Sequence, residues 1–380
     1  MLAPAHPASW RRMQTETVAL IGDSPGTRRA VTVLRFGAPG ARPKVYLQAG
    51  LHADEAPGML VLHHLSQLLQ AAQARILGEV VLVPAANPIG LSHWISHKPL
   101  GRQDPDSMQN FNRLYPDLVA LVGDELEALL TETASENLQI IRAAFGRALA
   151  RAEGRNDLDD LRLTLMRLSH DADHVLDLHC DHVGILYLYT SPAHPQITSQ
   201  LCRSIGAKVA LIEEVSGGNA FDEAHTAPWA QLQERFGTQF PIPHGCFGST
   251  VEYRGQFDVS DTLAAADAAN LMGFLATIGA VSGGAAPAFE DALHFPLGGM
   301  LQTRAPTGGV VSWIEEPGGN VRKGQVLGHV TDPTTGQRAE INAACDGIFV
   351  RRELWPTCLR GHELCDVAGA VALQPPRLSD

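Results

Sequence analysis

The chain has 380 residues, 45% of them hydrophobic and 18% charged, which is enough for one large and one smaller globular domain. Acidic residues outnumber basic ones by 41 to 29, giving a formal net charge of −12. Nucleic acids and anionic membrane surfaces are therefore disfavoured partners, because phosphate binding requires a basic surface. Residues 1–20 contain no apolar run of secretory length, and no two of the six cysteines form a Cys-x-x-Cys pair. These features predict reduced thiols and a cytoplasmic location.

Apolar runs rich in β-branched residues alternate with helical periodicity through the first three quarters of the chain. Strands are predicted at 31–36, 44–48, 79–84, 174–178, 184–189, 208–213 and 250–253. Helices are predicted at 57–73, 117–151, 159–168, 194–205 and 261–278. The alternation predicts an α/β fold with a mixed central sheet flanked by helices over residues 1–285, and a helical insertion at about 116–173. The most apolar stretch, 263–281, has Asp267 and Asn270 near its centre and predicts a buried helix, not a membrane span.

The composition changes after Gly279. Residues 282–288 have the sequence Ser-Gly-Gly-Ala-Ala-Pro-Ala, which is typical of a linker. Short strand candidates separated by turns follow, and they predict a small all-β domain of barrel-sandwich type over residues 290–375. This part resembles the biotinyl/lipoyl-type barrel. The corresponding stretch 338–343 has no lysine for cofactor attachment, so a carrier function is not expected.

A His-x-x-Glu pattern follows the apolar run 45–49. His52 and Glu55 come after Gly50, where a strand gives way to a helix. Sites in α/β proteins collect at the carboxyl ends of strands, and imidazole and carboxylate are ligands that zinc accepts. The two side chains are candidate metal ligands, although most chance occurrences of this short pattern are surface pairs.

A third candidate ligand, His179, ends another apolar run and belongs to a different strand from His52. Taken alone, an isolated histidine at such a position is more often a hydrogen-bonded core residue than a metal ligand. Asp181 and His182 beside it indicate a polar strand end, which favours a site. Asp177 lies on the same face of the strand as His179 and could orient it.

Two further groups of residues could bind and process a substrate. Asn112 and Arg113 offer an amide and a guanidinium fork for a carboxylate, and Arg102 is a second cation in what is predicted to be the same loop. Glu252 lies in a strand predicted late in the chain, where burying a carboxylate is unfavourable unless it is paired or has a functional role. It could act as a general base beside a metal, or pair with Arg254.

Taken together and in this order, these motifs resemble the succinylglutamate desuccinylase/aspartoacylase family, which belongs to the zinc carboxypeptidase-like hydrolases. The resemblance covers about residues 44–256, and the trailing all-β domain is also similar to that of the family. It implies one zinc ion per chain, held by His52, Glu55 and His179.

The resemblance also implies roles around that ion. Glu252 would activate a water molecule, and Arg102, followed three residues later by Pro105, would polarise the scissile carbonyl. Asn112 and Arg113 would bind the carboxylate of the substrate.

Two features depart from the family pattern. Relatives often have an Asp two residues before the Asn-Arg pair, where this chain has Asn110, so we expect a less basic first histidine ligand. The insertion after Pro116 is also longer than expected and could reshape the entrance or make a subunit contact.

Phe221–Asp222 and Pro228–Trp229 resemble the family's loop near the pocket, where substrate specificity is expected to reside.

These residues predict hydrolysis of the amide bond of a small N-acylated amino acid or related carboxylate. The nearest alternative is a zinc carboxypeptidase that acts on short peptides through the same metal site. A second alternative is a non-catalytic binding protein on a hydrolase scaffold. The expected partner is a small molecule, with neither nucleic acid nor membrane, and a homo-oligomer is possible.

Overall fold

The structure is a computed structural model that describes residues 13–22, 24–284 and 288–375, without the side chain of residue 124. Residues 1–12 and the centre of the predicted linker lie outside this part of the chain. No helix within the described residues is both long and apolar enough to cross a bilayer.

Strands and helices alternate as predicted through the first part of the chain, and strands alone fill the last part. The strands are β1 (Gln14–Ala19), β2 (Ala30–Phe36), β3 (Lys44–Ala49), β4 (Glu79–Val83), β5 (Trp94–Ile95), β6 (Lys98–Pro99), β7 (His174–Asp181), β8 (Val183–Gly184), β9 (Leu186–Thr190), β10 (Val209–Ile212), β11 (Phe247–Gly255), β12 (Leu293–Pro296), β13 (Met300–Arg304), β14 (Gly309–Trp313), β15 (Asn320–Val321), β16 (Val326–Thr331), β17 (Arg338–Asn342), β18 (Gly347–Arg352), β19 (Thr357–Cys358) and β20 (Glu363–Ala368). The α-helices are α1 (Pro57–Ala71), α2 (Leu118–Val122), α3 (Ala134–Arg151), α4 (Asp157–Ser169), α5 (Pro195–Ile205), α6 (Glu223–Phe236) and α7 (Asp261–Thr277).

A nine-stranded mixed sheet forms the centre of the molecule, in the order β1-β2-β4-β3-β7-β11-β9-β10-β12. Strands β4, β3, β7 and β11 run parallel to one another, so their carboxyl ends meet at one edge. All six residues of β3 are buried, as expected for a strand covered on both faces. Val45 and Leu47 pack on the side of α1 and α7, whereas Tyr46 packs with the core beneath the helical insertion. The predicted fold class is confirmed.

Two antiparallel sheets of five and four strands form the C-terminal part, with the orders β13-β20-β18-β15 and β17-β16-β14-β19. The two-residue strand β8, which lies between β7 and β9 in the chain, completes the larger of these sheets by pairing with β18. Strand β12 was expected in the C-terminal domain but pairs in parallel with β10, so the central sheet extends past residue 290. The division of the chain into 1–285 and 290–375 stays a prediction.

Helix α6 corrects the expectation that 221–229 form a loop at the pocket. Phe221 and Trp229 are both almost completely buried in the core beneath the insertion. The six cysteines, which were predicted to be reduced core residues, are buried and unbridged. Their positions are Cys180, Cys202, Cys246, Cys345, Cys358 and Cys365.

His174 should make the stability of the folded protein sensitive to acid. It lies at the start of β7, 8% exposed, with its ring centroid 6.1 Å from that of Phe247 and 6.3 Å from that of Phe274. Burial lowers its pKa to about 4, against an opposing effect of Asp173. Between about pH 4 and the ordinary histidine pKa near 6.5, the unfolded chain therefore holds a proton that the folded chain lacks. The free energy of unfolding should fall by up to about 1.4 kcal/mol per pH unit on acidification through this window, and level off below it.

Urea unfolding at several pH values between 4.5 and 7 measures this slope. The slope for His174→Gln should be shallower than that of the wild type by about 1 kcal/mol per pH unit. His63→Gln, which removes an exposed histidine, is the matched control and should keep the wild-type slope. Parallel curves for all three proteins would show that His174 carries no such linkage.

Candidate metal centre

The three predicted metal ligands meet at the carboxyl edge of the central sheet. Gly50 follows β3 with a φ of 69°, a left-handed conformation that glycine adopts without strain, and the chain turns there towards His52 and Glu55. His179 lies near the end of the adjacent strand β7. The three side chains are 3–4% exposed.

The carboxylate of Glu55 lies between the two imidazoles. Its Oε1 is 2.9 Å from Nδ1 of His52, and its Oε2 is 2.8 Å from Nδ1 of His179. One donor atom from each of the three residues lies within 4.8 Å of the others. Two imidazole nitrogens and one carboxylate are the donor set of a catalytic zinc site with a position left for water. These residues therefore fit a divalent metal ion, and they are the one such group found within the described part of the chain.

The outer nitrogens of both imidazoles face further partners, which leaves Nδ1 as the ligand atom of each ring. Nε2 of His52 lies 2.8 Å from Oδ1 of Asn110, as the sequence suggested. Nε2 of His179 lies 2.9 Å from Oδ2 of Asp177, whose other oxygen accepts a hydrogen bond from Gln48. Such outer contacts fix the ring orientation of metal-bound histidines.

Burial and charge set the protonation of the three residues. Burial lowers the pKa of His52, which favours the neutral ring that binds a metal. Burial alone would raise the pKa of Glu55, but the two imidazoles outweigh it and hold that pKa well below its usual value. Burial alone would lower the pKa of His179, but Asp177 and Glu55 outweigh it and raise that pKa.

Glu252 stands beside this group on β11. It pairs in register with His179 across the two parallel strands, and its Oε2 is buried without a hydrogen-bond partner. Burial, assisted by Asp181 and Glu55, raises the pKa of its carboxyl well above the usual value. The pairing with Arg254 that was considered as an alternative does not form, because Arg254 binds Asp267.

The predicted substrate-binding residues line the same cavity. Nη1 of Arg102 lies 3.3 Å from Oε1 of Glu55 and 3.4 Å from Nδ1 of His52, next to the proposed ligand atoms. Arg113 donates to the backbone carbonyl of Asn112 at 2.7 Å. The Asn112 side chain is itself engaged: its Oδ1 accepts from the backbone N–H of Phe221. Arg113 is thus the principal candidate for holding a carboxylate, and Asn112 the residue that fixes the loop beneath it.

The cavity has a volume of about 190 Å³. One wall is formed by the metal-centre residues and the loop with Arg102 and Arg113, and a second wall comes from the C-terminal part, which the sequence did not indicate. Strands β18 and β20 and their flanking residues supply Arg351, Arg352, Glu353, Glu363, Leu364 and Cys365. No local motif could have indicated them, because their place at the site depends on how β18 pairs with β8. Glu213 and Glu214, which directly follow β10, line a separate small cavity together with Asp222.

Asn110→Asp should strengthen metal binding. The Asn110 oxygen already accepts from His52, and a charged oxygen there would make that imidazole a more basic ligand. We expect the metal dissociation constant to fall about tenfold in competition with a chelator of known affinity. Gln103→Glu, which adds the same charge to the same loop, should leave it unchanged; an equal gain in both variants would attribute the effect to net charge alone.

The chain is similar to known proteins in sequence and in fold. Residues 41–158 match the sequence profile of the succinylglutamate desuccinylase/aspartoacylase catalytic domain. The predicted resemblance to this family is confirmed. Members of the succinylglutamate desuccinylase/aspartoacylase family are hydrolases that act on small N-acyl amino acid-like substrates. No curated protein matches the chain.

Solved structures extend the similarity over nearly the whole chain. A putative family protein from Shewanella amazonensis SB2B is 25% identical, with 93% of this chain and 98% of that chain covered and a TM-score of 0.84. A putative succinylglutamate desuccinylase/aspartoacylase from Shewanella frigidimarina NCIMB 400 is 24% identical, with 94% and 97% covered and a TM-score of 0.83. The product-bound ectoine utilization protein EutE (DoeB) from Ruegeria pomeroyi shares the fold at 18% identity, with 97% and 98% covered and a TM-score of 0.64.

Proposed function

We propose that this protein is a zinc-dependent hydrolase that cleaves the amide bond of a small N-acylated amino acid. The observation that carries the proposal is the buried His52–Glu55–His179 donor set beside an unpartnered Glu252 carboxylate oxygen. Zinc is the ion that best suits two imidazoles and one carboxylate in a four-coordinate site. When bound, it would supply Lewis acidity, lowering the pKa of a water molecule towards about 7 and polarising a carbonyl.

The residues around the donor set have the chemistry that amide hydrolysis requires. Glu252 takes a proton from the attacking water and later delivers it to the leaving nitrogen, as a general base and then a general acid. The guanidinium of Arg102 donates to the carbonyl oxygen as negative charge develops there. Arg113 holds the carboxylate of the substrate through its planar fork and so orients the amide.

The size of the cavity supports a small substrate. A volume of about 190 Å³ is below the range of about 300–1,000 Å³ usual for drug-sized ligands. Two β-strands of the C-terminal part contribute to its lining, which favours a short N-acyl amino acid over the peptide that a carboxypeptidase would cut. The six buried free thiols support a cytoplasmic location for the enzyme.

The test is turnover by zinc-loaded protein on a panel of N-acyl amino acids, with a blocked tripeptide of matching C-terminal residue beside each. We expect hydrolysis of at least one N-acyl amino acid, loss of activity on chelation, and recovery on adding zinc. Faster cleavage of the tripeptides would favour the carboxypeptidase alternative. No turnover on either class by protein with stoichiometric zinc would contradict the proposal and favour a binding protein.

A further inference from the structure

A chain of polar contacts runs from the C-terminal part of the molecule to the central sheet beside the cavity. It begins at the guanidinium of Arg351 on β18, which pairs with Asp366 and, at 3.5 Å, with Oδ1 of Asp181. The second oxygen of Asp181, Oδ2, accepts a hydrogen bond of 2.7 Å from the hydroxyl of Tyr187. That hydroxyl lies in turn 3.0 Å from the hydroxyl of Tyr189, which lines the cavity.

The order of this chain fixes which way the tyrosine hydrogens point. A tyrosine hydroxyl has one hydrogen, and Tyr187 donates its own to Asp181. The hydrogen between the two tyrosines is therefore that of Tyr189, and the oxygen of Tyr187 accepts it. Burial, assisted by Asp181 and Glu252, raises the pKa of Tyr189, so its hydroxyl keeps this hydrogen at neutral pH. Within the described residues the Tyr189 hydroxyl makes no other hydrogen bond, which leaves its oxygen to act as an acceptor.

Tyr189 lies on the same face of the central sheet as Glu252. In the antiparallel pair of β9 and β11, Glu252 is opposite Tyr187, and Thr250 is opposite Tyr189. Because residues two apart on a strand share a face, Tyr189 and Glu252 are diagonal neighbours, a spacing that aromatic and long side chains can bridge. Both residues line the cavity. An acceptor oxygen is thus placed beside the carboxylate to which proton transfer is assigned.

The proposed reaction brings one hydrogen-bond donor to this place. The carbonyl and the carboxylate of an N-acyl amino acid only accept hydrogen bonds, whereas its amide nitrogen carries a hydrogen. Glu252 delivers a proton to that nitrogen, so the nitrogen must come within hydrogen-bond reach of Glu252. An acceptor next to Glu252 can bind the N–H and so turn the nitrogen lone pair towards the proton that it receives.

We propose that Tyr189 is a substrate-contacting residue whose hydroxyl oxygen accepts the N–H of the scissile amide. The inference rests on the proposed function and narrows its substrate class to secondary amides, which carry a hydrogen on the scissile nitrogen. Asp181 and Tyr187 act through Tyr189, because they hold its hydrogen away from the substrate.

The experiment compares an amide with the ester of the same shape. The amide is the N-acyl amino acid with the highest turnover in the panel above, and the ester is the O-acyl derivative of the matching 2-hydroxy acid, which keeps the carbonyl and the carboxylate but has no N–H. Both are measured with zinc-loaded wild type, Tyr189→Phe and Tyr253→Phe, with the zinc content checked on each sample. Tyr253 is the matched control, because its hydroxyl is buried without a partner in the core on the side of α1 and α7.

We expect Tyr189→Phe to lower kcat/KM for the amide about tenfold and to change that for the ester less than twofold. Tyr253→Phe should leave both values unchanged. If the wild type does not cleave the ester, its inhibition constant against the amide replaces kcat/KM and should be the same in Tyr189→Phe as in the wild type.

An equal loss on amide and ester in Tyr189→Phe would overturn the inference, since the residue would then only shape the cavity. Undiminished activity of this variant on the amide would overturn it as well, and either result would leave the proposed function standing. Absence of amide hydrolysis by zinc-loaded wild type would instead be a failure of the proposed function, and the inference would fall with it.

Discussion

Glu252→Gln should reduce kcat by about a thousandfold and leave metal binding intact. The carboxylate lies next to the metal centre, opposite His179 in the strand register, with one oxygen buried and unpartnered. An amide of the same shape cannot accept and return a proton, and positioned general bases contribute about 10²–10⁴-fold. Steady-state kinetics on the best substrate, with zinc content measured on the same samples, checks both parts.

Glu213→Gln is the matched control for this variant. Glu213 directly follows β10, which is separated from β11 by β9 in the central sheet, and it lines a separate cavity. The same substitution there should leave kcat within about twofold of the wild type. A Glu252→Gln enzyme with undiminished kcat would show that another group performs the proton transfer.

Arg102→Ala should lower kcat by about 10²–10³-fold. Its guanidinium lies within 3.4 Å of both His52 and Glu55, where it can donate to an oxygen that develops negative charge in the transition state. Removing one such donor costs about 2.7–4 kcal/mol. Arg102→Lys, which keeps the charge but not the planar fork, should recover part of the loss.

Arg113→Ala should raise KM and change kcat little, in contrast to Arg102→Ala. Arg113 anchors the substrate, and loss of a contact that is equally strong in the ground state and the transition state raises KM without lowering kcat. If Arg102→Ala instead raised KM alone, Arg102 would be an anchoring residue like Arg113, and the stabilising role assigned to it would be wrong.

The candidate metal centre was predictable because His52 and Glu55 follow one buried strand and His179 lies near the carboxyl end of another. His52 and His179 lie 127 residues apart, but β3 and β7 are adjacent and parallel, so their carboxyl ends meet. The outer contact from Asp177 followed from strand alternation in the same way. These inferences need only the position of a polar residue relative to an apolar run.

The orientation of Arg254 was not predictable from the alternation of side chains between the two faces of a strand. The pairing register of β11 shifts between Glu252 and Gly255, and Arg254 itself has a φ of 59°. The irregularity directs its guanidinium to Asp267 on α7, away from the base. A bulge of this kind reorients side chains next to a site without any signal in the hydrophobic pattern.

Helix α6 and the second wall of the cavity were missed for different reasons. Pro228 lies inside α6, and a proline argues against a helix interior when the sequence is considered alone. Burial of Trp229 stabilises the helix in spite of it. The wall depends on the contact of β18 with β8, which joins segments almost 170 residues apart and has no local pattern.

The most direct test of the account is the metal content of purified protein, measured by elemental analysis on the wild type and His179→Ala prepared together. In the proposed site His179 would supply one of the three ligand atoms, and it lies farthest along the chain from the other two. The account predicts about one zinc per chain in the wild type and almost none in the variant. A wild type that neither contains zinc nor takes it up, or a variant that retains the full amount, would contradict the assignment of these three residues to one metal centre.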